Sequence, residues 1–111
     1  MNFPEMYKIK QKINHPAITD IDKEIRKELK KIDLRGKAEK SVAITCGSRG
    51  ITDYSAIIKS IVNVLKENGM NPFIVPAMGS HGGGTAEGQK QILNHLGLSE
   101  KDLEVPIKSS M

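Results

Sequence analysis

The chain has 111 residues, of which 38% are hydrophobic, 27% are charged and only 4% are aromatic, and its net charge is +4. This length predicts about one domain, with a core built from aliphatic side chains. A single cysteine excludes a disulfide framework, and no apolar run approaches the roughly 18 residues of a membrane span. The first residues also lack the apolar segment of a secretory signal, so we expect a cytoplasmic protein.

The positive charge is confined to the N-terminal part of the chain. Residues 1–40 contain eleven Lys or Arg and seven Asp or Glu, whereas residues 41–111 contain six of each. The basic side chains alternate with acidic ones, which is typical of a solvated surface, whereas a nucleic-acid interface would cluster them with aromatic side chains. We therefore expect neither nucleic acid nor membrane among the partners of this chain.

Residues 1–41 are predicted to form a strand and a helix that lead into the core. Residues 7–13 alternate apolar and polar side chains with a period of two, which predicts a half-exposed strand with lysines on the solvent side. A helix then begins at Thr19 or Asp20, because either side-chain oxygen can accept a hydrogen bond from a free backbone N–H group. Gly36 ends this unit. The apolar stripe of the helix, at spacings of four, four and three residues, consists of Ile21, Ile25, Leu29 and Ile32.

The remainder of the chain is predicted to form a β-α-β-α core. The short apolar segment 42–46 is typical of a strand buried on both faces, and residues 72–76 form a second strand. A helix that begins at Thr52 and Asp53 connects the two strands, and Thr85 caps a further helix. This order implies a right-handed crossover and a parallel pair of strands.

The predicted fold class is therefore α/β. It is a small parallel βαβα, or Rossmann-like, unit over residues 42–111, preceded by the N-terminal strand and helix. Gly69 and Gly97 are predicted to end its two helices. Residues 105–107 could begin one more strand. Since two or three parallel strands make a thin sheet, we expect the chain to be a fragment of a larger domain, truncated at its C-terminus.

Two glycine-containing loops directly follow the two strands. The first is Gly47, Ser48, Arg49 and Gly50, and the second covers residues 79–84 with the sequence Gly-Ser-His-Gly-Gly-Gly. Ligands bind at the carboxyl edge of parallel strands, where glycine backbones approach them closely and helix N-termini offer free N–H groups. Arg49 has a planar guanidinium suited to a carboxylate or a phosphate, so it is predicted to bind substrate. Cofactor contacts are predicted for Gly47, Ser48, Ser80, Gly82 and Gly83.

His81, in the middle of the second loop, is the predicted catalytic residue. Histidine changes its charge closer to neutral pH than other side chains do, so a histidine held among glycines can act as a proton shuttle or a metal ligand. No metal-ligand set is predicted. His15 and His95 are interpreted as structural, and Cys46 as a small core residue. The alternative is that the loops are plain turns, since the second loop matches neither the Walker motif nor the dinucleotide-binding motif.

Two stretches of the chain resemble the N-terminal region of the nickel-dependent lactate racemase superfamily. The first is residues 42–51, VAITCGSRGI, and the longer and more distinctive one is residues 72–89, PFIVPAMGSHGGGTAEGQ. The resemblance implies that Arg49 helps to hold an anionic substrate and that His81 is one of two proton-transferring histidines. It implies a nickel pincer nucleotide as the cofactor of the full-length family, with racemisation by proton abstraction from a hydroxyl and hydride transfer to the cofactor and back.

The chain departs from the lactate racemase pattern at two positions. Cys46 stands where the pattern has Asp, and Gly82 stands where it has Arg. These changes point to a 2-hydroxy acid other than lactate or to a separate branch of the superfamily. The resemblance also places the second histidine, the tethering lysine and the nickel-binding histidine downstream of Met111, so we expect this chain alone to bind no cofactor and to be inactive.

Two alternatives to an enzyme remain open from the sequence. One is a non-catalytic α/β module that binds phosphate or carboxylate at its helix N-termini. The other is a structural or oligomerisation domain whose loops are only turns. The expected partner is a small anionic substrate such as a 2-hydroxy acid, or phosphate, and the sequence leaves a homo-oligomer open.

Overall fold

Two parallel strands form the sheet in the computed structural model, which describes residues 1–110; Met111, the last residue of the predicted core, lies outside the described residues. Strand β1 (Ser41–Cys46) pairs with strand β2 (Asn71–Pro76), and the register places Cys46 opposite Pro76. The predicted α/β class and the predicted parallel pair are confirmed.

Four helices and one 3₁₀ turn accompany the strands within residues 1–110. They are α1 (Ile21–Leu29), α2 (Tyr54–Glu67), α3 (Ala86–His95), α4 (Glu100–Leu103) and the turn at Gly82–Gly84. The chain leaves α2 and α3 through Gly69 and Gly97, whose φ angles of 73° and 76° are left-handed, so both predicted helix ends are confirmed. No helix in the described part of the chain is long and apolar enough to cross a membrane.

A third segment begins to pair along the free side of β2. The backbone N–H of Ile74 donates to the carbonyl oxygen of Pro106 at 2.9 Å, and that of Lys108 donates to the carbonyl oxygen of Ile74 at 2.8 Å. This parallel bridge between Ile74 and Ile107 is where the sequence predicts a further strand. The sheet order is therefore β1, β2 and the start of this segment.

The core lies between one face of the sheet and helices α2 and α3. Its fully buried side chains are Cys46, Val62, Ile74, Leu93 and Leu98. Burying each of the branched aliphatic side chains stabilises the fold by roughly 1.5–3 kcal/mol relative to leaving it exposed. The core is aliphatic, as the composition predicts.

The other face of β1 is bare, so the prediction of a strand buried on both faces is wrong. Ser41, Ala43 and Thr45 are exposed, whereas Cys46 on the opposite face is fully buried. An apolar run is typical of a strand covered on both sides. In residues 1–110 the helices cover only one side, and the short side chains of Ala43 and Thr45 tolerate contact with water.

The strand predicted over residues 7–13 is also absent. Residues 1–18 contain neither helix nor strand, and Tyr7 and Ile9 are 81% and 85% exposed. A strand needs a neighbour to satisfy its backbone and to cover its apolar face, and within the described residues this segment has none. Helix α1 likewise ends at Leu29, before the predicted fourth stripe residue Ile32, which is 56% exposed.

Helix α1 is held on α2 by a polar cluster as well as by its apolar stripe. Asp20 caps the helix, since its side chain accepts a hydrogen bond from the backbone N–H of Lys23 at 3.0 Å. Asp22 accepts a hydrogen bond from the Ser60 hydroxyl at 2.6 Å, and Arg26 donates two hydrogen bonds to Glu67 at 2.6 and 2.9 Å. The Ser60 hydrogen bond lowers the pKa of Asp22, and the Arg26 hydrogen bonds lower the pKa of Glu67. Both carboxylates therefore favour the docked helix when ionised.

The docking of α1 should weaken in acid. A carboxyl group whose pKa is lowered by folding stabilises the fold above its unfolded pKa, and this stability is lost as the pH falls through the lowered pKa. We expect the urea midpoint of the Asp22→Asn/Glu67→Gln variant to lie below that of the wild type at about pH 7 and to approach it at about pH 3. Asp53→Asn is the control, because the Asp53 side chain makes no capping hydrogen bond to α2. A difference in midpoint that is the same at both pH values would contradict the expectation.

Candidate functional site

The two predicted loops leave the sheet side by side. Just past the strand ends, the backbone N–H of Ala77 donates to the carbonyl oxygen of Cys46 at 2.8 Å, which extends the pairing by one residue. The loop of residues 47–50 and the loop of residues 79–84 therefore start at the same point of the carboxyl edge, where ligands bind in open α/β sheets.

Ser48 and His81 join the two loops. The Ser48 hydroxyl oxygen Oγ is hydrogen-bonded to Nδ1 of His81, although the two residues are 33 positions apart in the sequence. The imidazole is exposed, and its Nε2 forms no hydrogen bond within residues 1–110. The contact fixes one ring nitrogen and leaves the other open to a ligand, so the structure places Ser48 as a partner of His81.

The other predicted ligand contacts lie on exposed or half-exposed parts of the same edge. Arg49, Ser80 and Gly83 are exposed, and Gly47 is half-buried. Within the described residues the Arg49 side chain forms no ion pair and no hydrogen bond. It is therefore unpaired and close in sequence to Ser48, although the structure shows no contact between Arg49 and His81.

The second loop depends on its glycines for its backbone shape. Gly79, Gly82, Gly83 and Gly84 have φ angles of 57°, 68°, 69° and 65°, which other residues adopt only with strain. A Cβ atom on Gly88 would lie 1.9 Å from the carbonyl oxygen of Gly82, and one on Gly82 would lie 2.6 Å from the Gly88 backbone. The backbone of Gly82 thus packs against α3. This contact alone explains the glycine at position 82, without the predicted contact to a cofactor.

Two polar side chains, one in α3 and one at its N-cap, hold this loop, and the sequence did not identify them as site residues. Gln89 is only 4% exposed, and its Nε2 donates to the carbonyl oxygens of Gly79 at 2.8 Å and of His81 at 3.3 Å. Thr85 accepts a hydrogen bond from the backbone N–H of Gly88, as predicted for a helix cap, and donates to the Gly82 carbonyl oxygen. The sequence contains one sign of the role of Gln89: it lies four residues before Leu93, so a polar side chain falls on the apolar face of the helix.

The first loop rests on Tyr54, which the sequence also did not single out. The phenolic oxygen of Tyr54 accepts a hydrogen bond from the backbone N–H of Gly47 at 3.0 Å. Burial raises the pKa of Tyr54 and that of the neighbouring Cys46 thiol, so both groups stay protonated near neutral pH. Cys46 is 0% exposed, which confirms its interpretation as a core residue.

Helix α2 begins differently from the prediction. Its first residue is Tyr54, and the preceding Asp53 adopts a left-handed φ of 58° with no side-chain hydrogen bond to the helix. The sequence predicts a side-chain cap at Thr52 and Asp53. The cap fails because a left-handed residue cannot turn its carboxylate onto the N–H groups of the first turn as an extended residue does.

The described residues do not form a metal site. No cluster of three or more His, Cys, Asp or Glu side chains in residues 1–110 could hold a metal ion. Nδ1 of His81 is engaged with Ser48, and Nδ1 of His95 is hydrogen-bonded to the carbonyl oxygen of Gln91 at 2.8 Å. The described residues therefore contain no ready-made ligand set for the nickel that the resemblance implies.

Comparisons with protein-family models, with curated proteins and with solved structures found no match to the chain. The resemblance to the lactate racemase superfamily thus rests on residues 42–51 and 72–89 alone, and it stays a prediction.

The contact between Gly82 and Gly88 should make Gly88→Ala destabilising. At an exposed helix position, Gly→Ala normally stabilises by about 1 kcal/mol. Here the new methyl group would meet a backbone oxygen, so we expect a net loss of about 1–3 kcal/mol in the free energy of unfolding, measured in urea. Gly47→Ala is the matched control, since its Cβ would lie 3.8 Å from the Ala77 carbonyl oxygen. Equal stability of the two variants would contradict the close approach.

Proposed function

We propose that this chain supplies the anion-holding and proton-transferring half of an active site for a 2-hydroxy acid, in a racemase or epimerase of the lactate racemase type. The observation that carries the proposal is the hydrogen bond between Ser48 and His81, which joins two glycine loops at the ligand-binding edge of a parallel sheet. A cytoplasmic location belongs to the same proposal and rests on the single cysteine.

The chemistry of a 2-hydroxy acid matches the groups on the two loops. Its carboxylate and its hydroxyl are attached to neighbouring carbon atoms, so an anion holder and a base on adjacent loops can engage both. Arg49 has a free guanidinium for the carboxylate. In the tautomer in which Nδ1 of His81 donates to Ser48, Nε2 carries a lone pair and can accept the proton of the hydroxyl.

The resemblance implies that a nickel pincer nucleotide would accept the hydride of such a reaction. The described residues do not form its metal site. The role proposed for this chain is limited to binding the substrate and moving its hydroxyl proton. One face of β1 is exposed, whereas parallel sheets are normally covered on both faces. This exposed face supports the proposal that another part of the enzyme packs against the unit.

A second candidate is a non-catalytic module that binds a carboxylate or phosphate. It is favoured by the composition of the two loops, in which His81 and Arg49 are the only ionisable side chains. The racemase mechanism needs a second proton-transferring histidine and a hydride acceptor, neither of which lies in the two loops, whereas anion binding needs only a cation and free N–H groups.

Binding of a hydroxy acid to the full chain separates the two candidates. We expect 2-hydroxybutyrate to shift the NMR signals of Arg49 and His81 at millimolar concentration, and butyrate, which lacks the hydroxyl, to bind more weakly. Arg49→Ala should weaken binding by about 10–100-fold, since it removes a charge-assisted hydrogen bond. Arg35→Ala is the matched control, because Arg35 pairs with Asp33 in an exposed turn before β1.

His81 should be the residue that makes the chain bind 2-hydroxybutyrate more tightly than butyrate. We expect His81→Ala to bind 2-hydroxybutyrate and butyrate equally, while His95→Ala keeps the preference of the wild type. Binding of inorganic phosphate with no preference for the hydroxyl would support the anion-binding module instead. No shift with any of the three ligands would rule out both candidates.

A further inference from the structure

We propose that Gln89 is a positioning residue for His81: its buried amide holds the second glycine loop so that the imidazole stays on Ser48. This role rests on the function proposed for His81. Gln89 lies in α3, four residues after the capping residue Thr85, and its side chain is buried beneath the loop. It acts through the backbone on either side of Ser80.

Gln89 contacts the backbone of His81 and that of Gly79, two residues before it. Its Nε2 donates to the carbonyl oxygens of Gly79 and His81, at 2.8 and 3.3 Å, so one amide group ties together both ends of a three-residue turn. The direction of the His81 Cα–Cβ bond follows from this backbone. By fixing this backbone, Gln89 therefore holds the imidazole in the position in which it is hydrogen-bonded to Ser48.

Apart from this amide, the loop is tied to α3 through Gly82, which accepts a hydrogen bond from Thr85 and lies against the backbone of Gly88. Gly79 precedes Ser80, and three consecutive glycines, all with left-handed φ angles, follow His81. Glycine loses more conformational freedom on ordering than any other residue, so a loop with four of them is intrinsically soft. The other backbone bonds of His81 are to Met78 at 3.1 Å and from Gly84 at 3.3 Å, within the loop itself. Gln89 ties residues 79–81 of the loop to the helix.

Packing alone does not explain an amide at this position. Ser60 and Gln89 are the two buried polar side chains among the described residues. Burying an amide costs about 1–3 kcal/mol unless it is hydrogen-bonded, whereas methionine has the same length and carries no such cost. The neighbouring core position Leu93 is apolar, so the site could accept an apolar side chain. The amide is accounted for by the two carbonyl groups that it holds.

The test compares Gln89→Met with Ser48→Ala, which removes the imidazole's partner directly. Both variants should change the ¹⁵N shifts of the His81 ring nitrogens in the same direction, because the ring loses its fixed tautomer in both. Gln89→Met should also weaken the binding of 2-hydroxybutyrate by about tenfold, as expected when a binding group is displaced by a fraction of an ångström to 1 Å. Gln89→Asn keeps the amide but is one methylene too short for both carbonyls, and it gives the same test should Gln89→Met not fold.

Ser60→Ala is the control for loss of stability. It removes the other buried polar side chain and its hydrogen bond to Asp22, and it should lower the urea midpoint without changing the His81 ring shifts. If the Gln89 variants lose stability but keep the wild-type ring shifts, Gln89 is only a structural residue and the proposal is wrong. If the wild type binds no 2-hydroxy acid, the proposed function fails, and the ring shifts alone decide whether Gln89 positions His81.

Discussion

The parallel register of β1 and β2 is the constraint on which the candidate site depends. Cys46 lies opposite Pro76, and the hydrogen bond from Ala77 to the Cys46 carbonyl oxygen carries the pairing just beyond the strands. Because the side chains of a strand alternate between faces, a slip by one residue would turn Cys46 away from the core. It would also move one loop along the edge and separate Ser48 from His81. The buried face of the sheet and the site are thus fixed by the same register.

Features that depend on neighbours in the sequence could be predicted, and features that depend on distant partners could not. The two strands, the cap at Thr85 and the ends at Gly69 and Gly97 follow from local conformational preferences. The alternation in residues 7–13 is an equally clear local pattern, but a strand forms only against a neighbour, and the described residues provide none. The contacts of Tyr54 and Gln89 escaped prediction for the same reason, since both join loops to helices through the fold.

The second loop shows how one property of glycine can serve two purposes. The sequence suggests that Gly82 lets a ligand approach the backbone, because glycine has no Cβ atom. In the structure the close neighbour is the backbone of Gly88 in α3, at a distance that leaves no room for a Cβ on either residue. A glycine pattern therefore indicates that something approaches closely, and only the fold shows whether that partner is a ligand or another part of the chain.

The distribution of charge limits the kind of ligand that the site can hold. Three basic side chains in or just after α1 form ion pairs: Arg26 with Glu67, Lys27 with Glu24 and Lys31 with Glu28. The net charge of +4 lies within residues 1–40, and residues 41–111, which include both loops, have a net charge of zero. Arg49 is the only Lys or Arg in residues 47–50 and 79–84. One guanidinium is matched to one carboxylate or one phosphate group, and the free N–H groups of the loops can supply the remaining hydrogen bonds. The charge balance is thus compatible with the small anion that we propose as the ligand of these two loops.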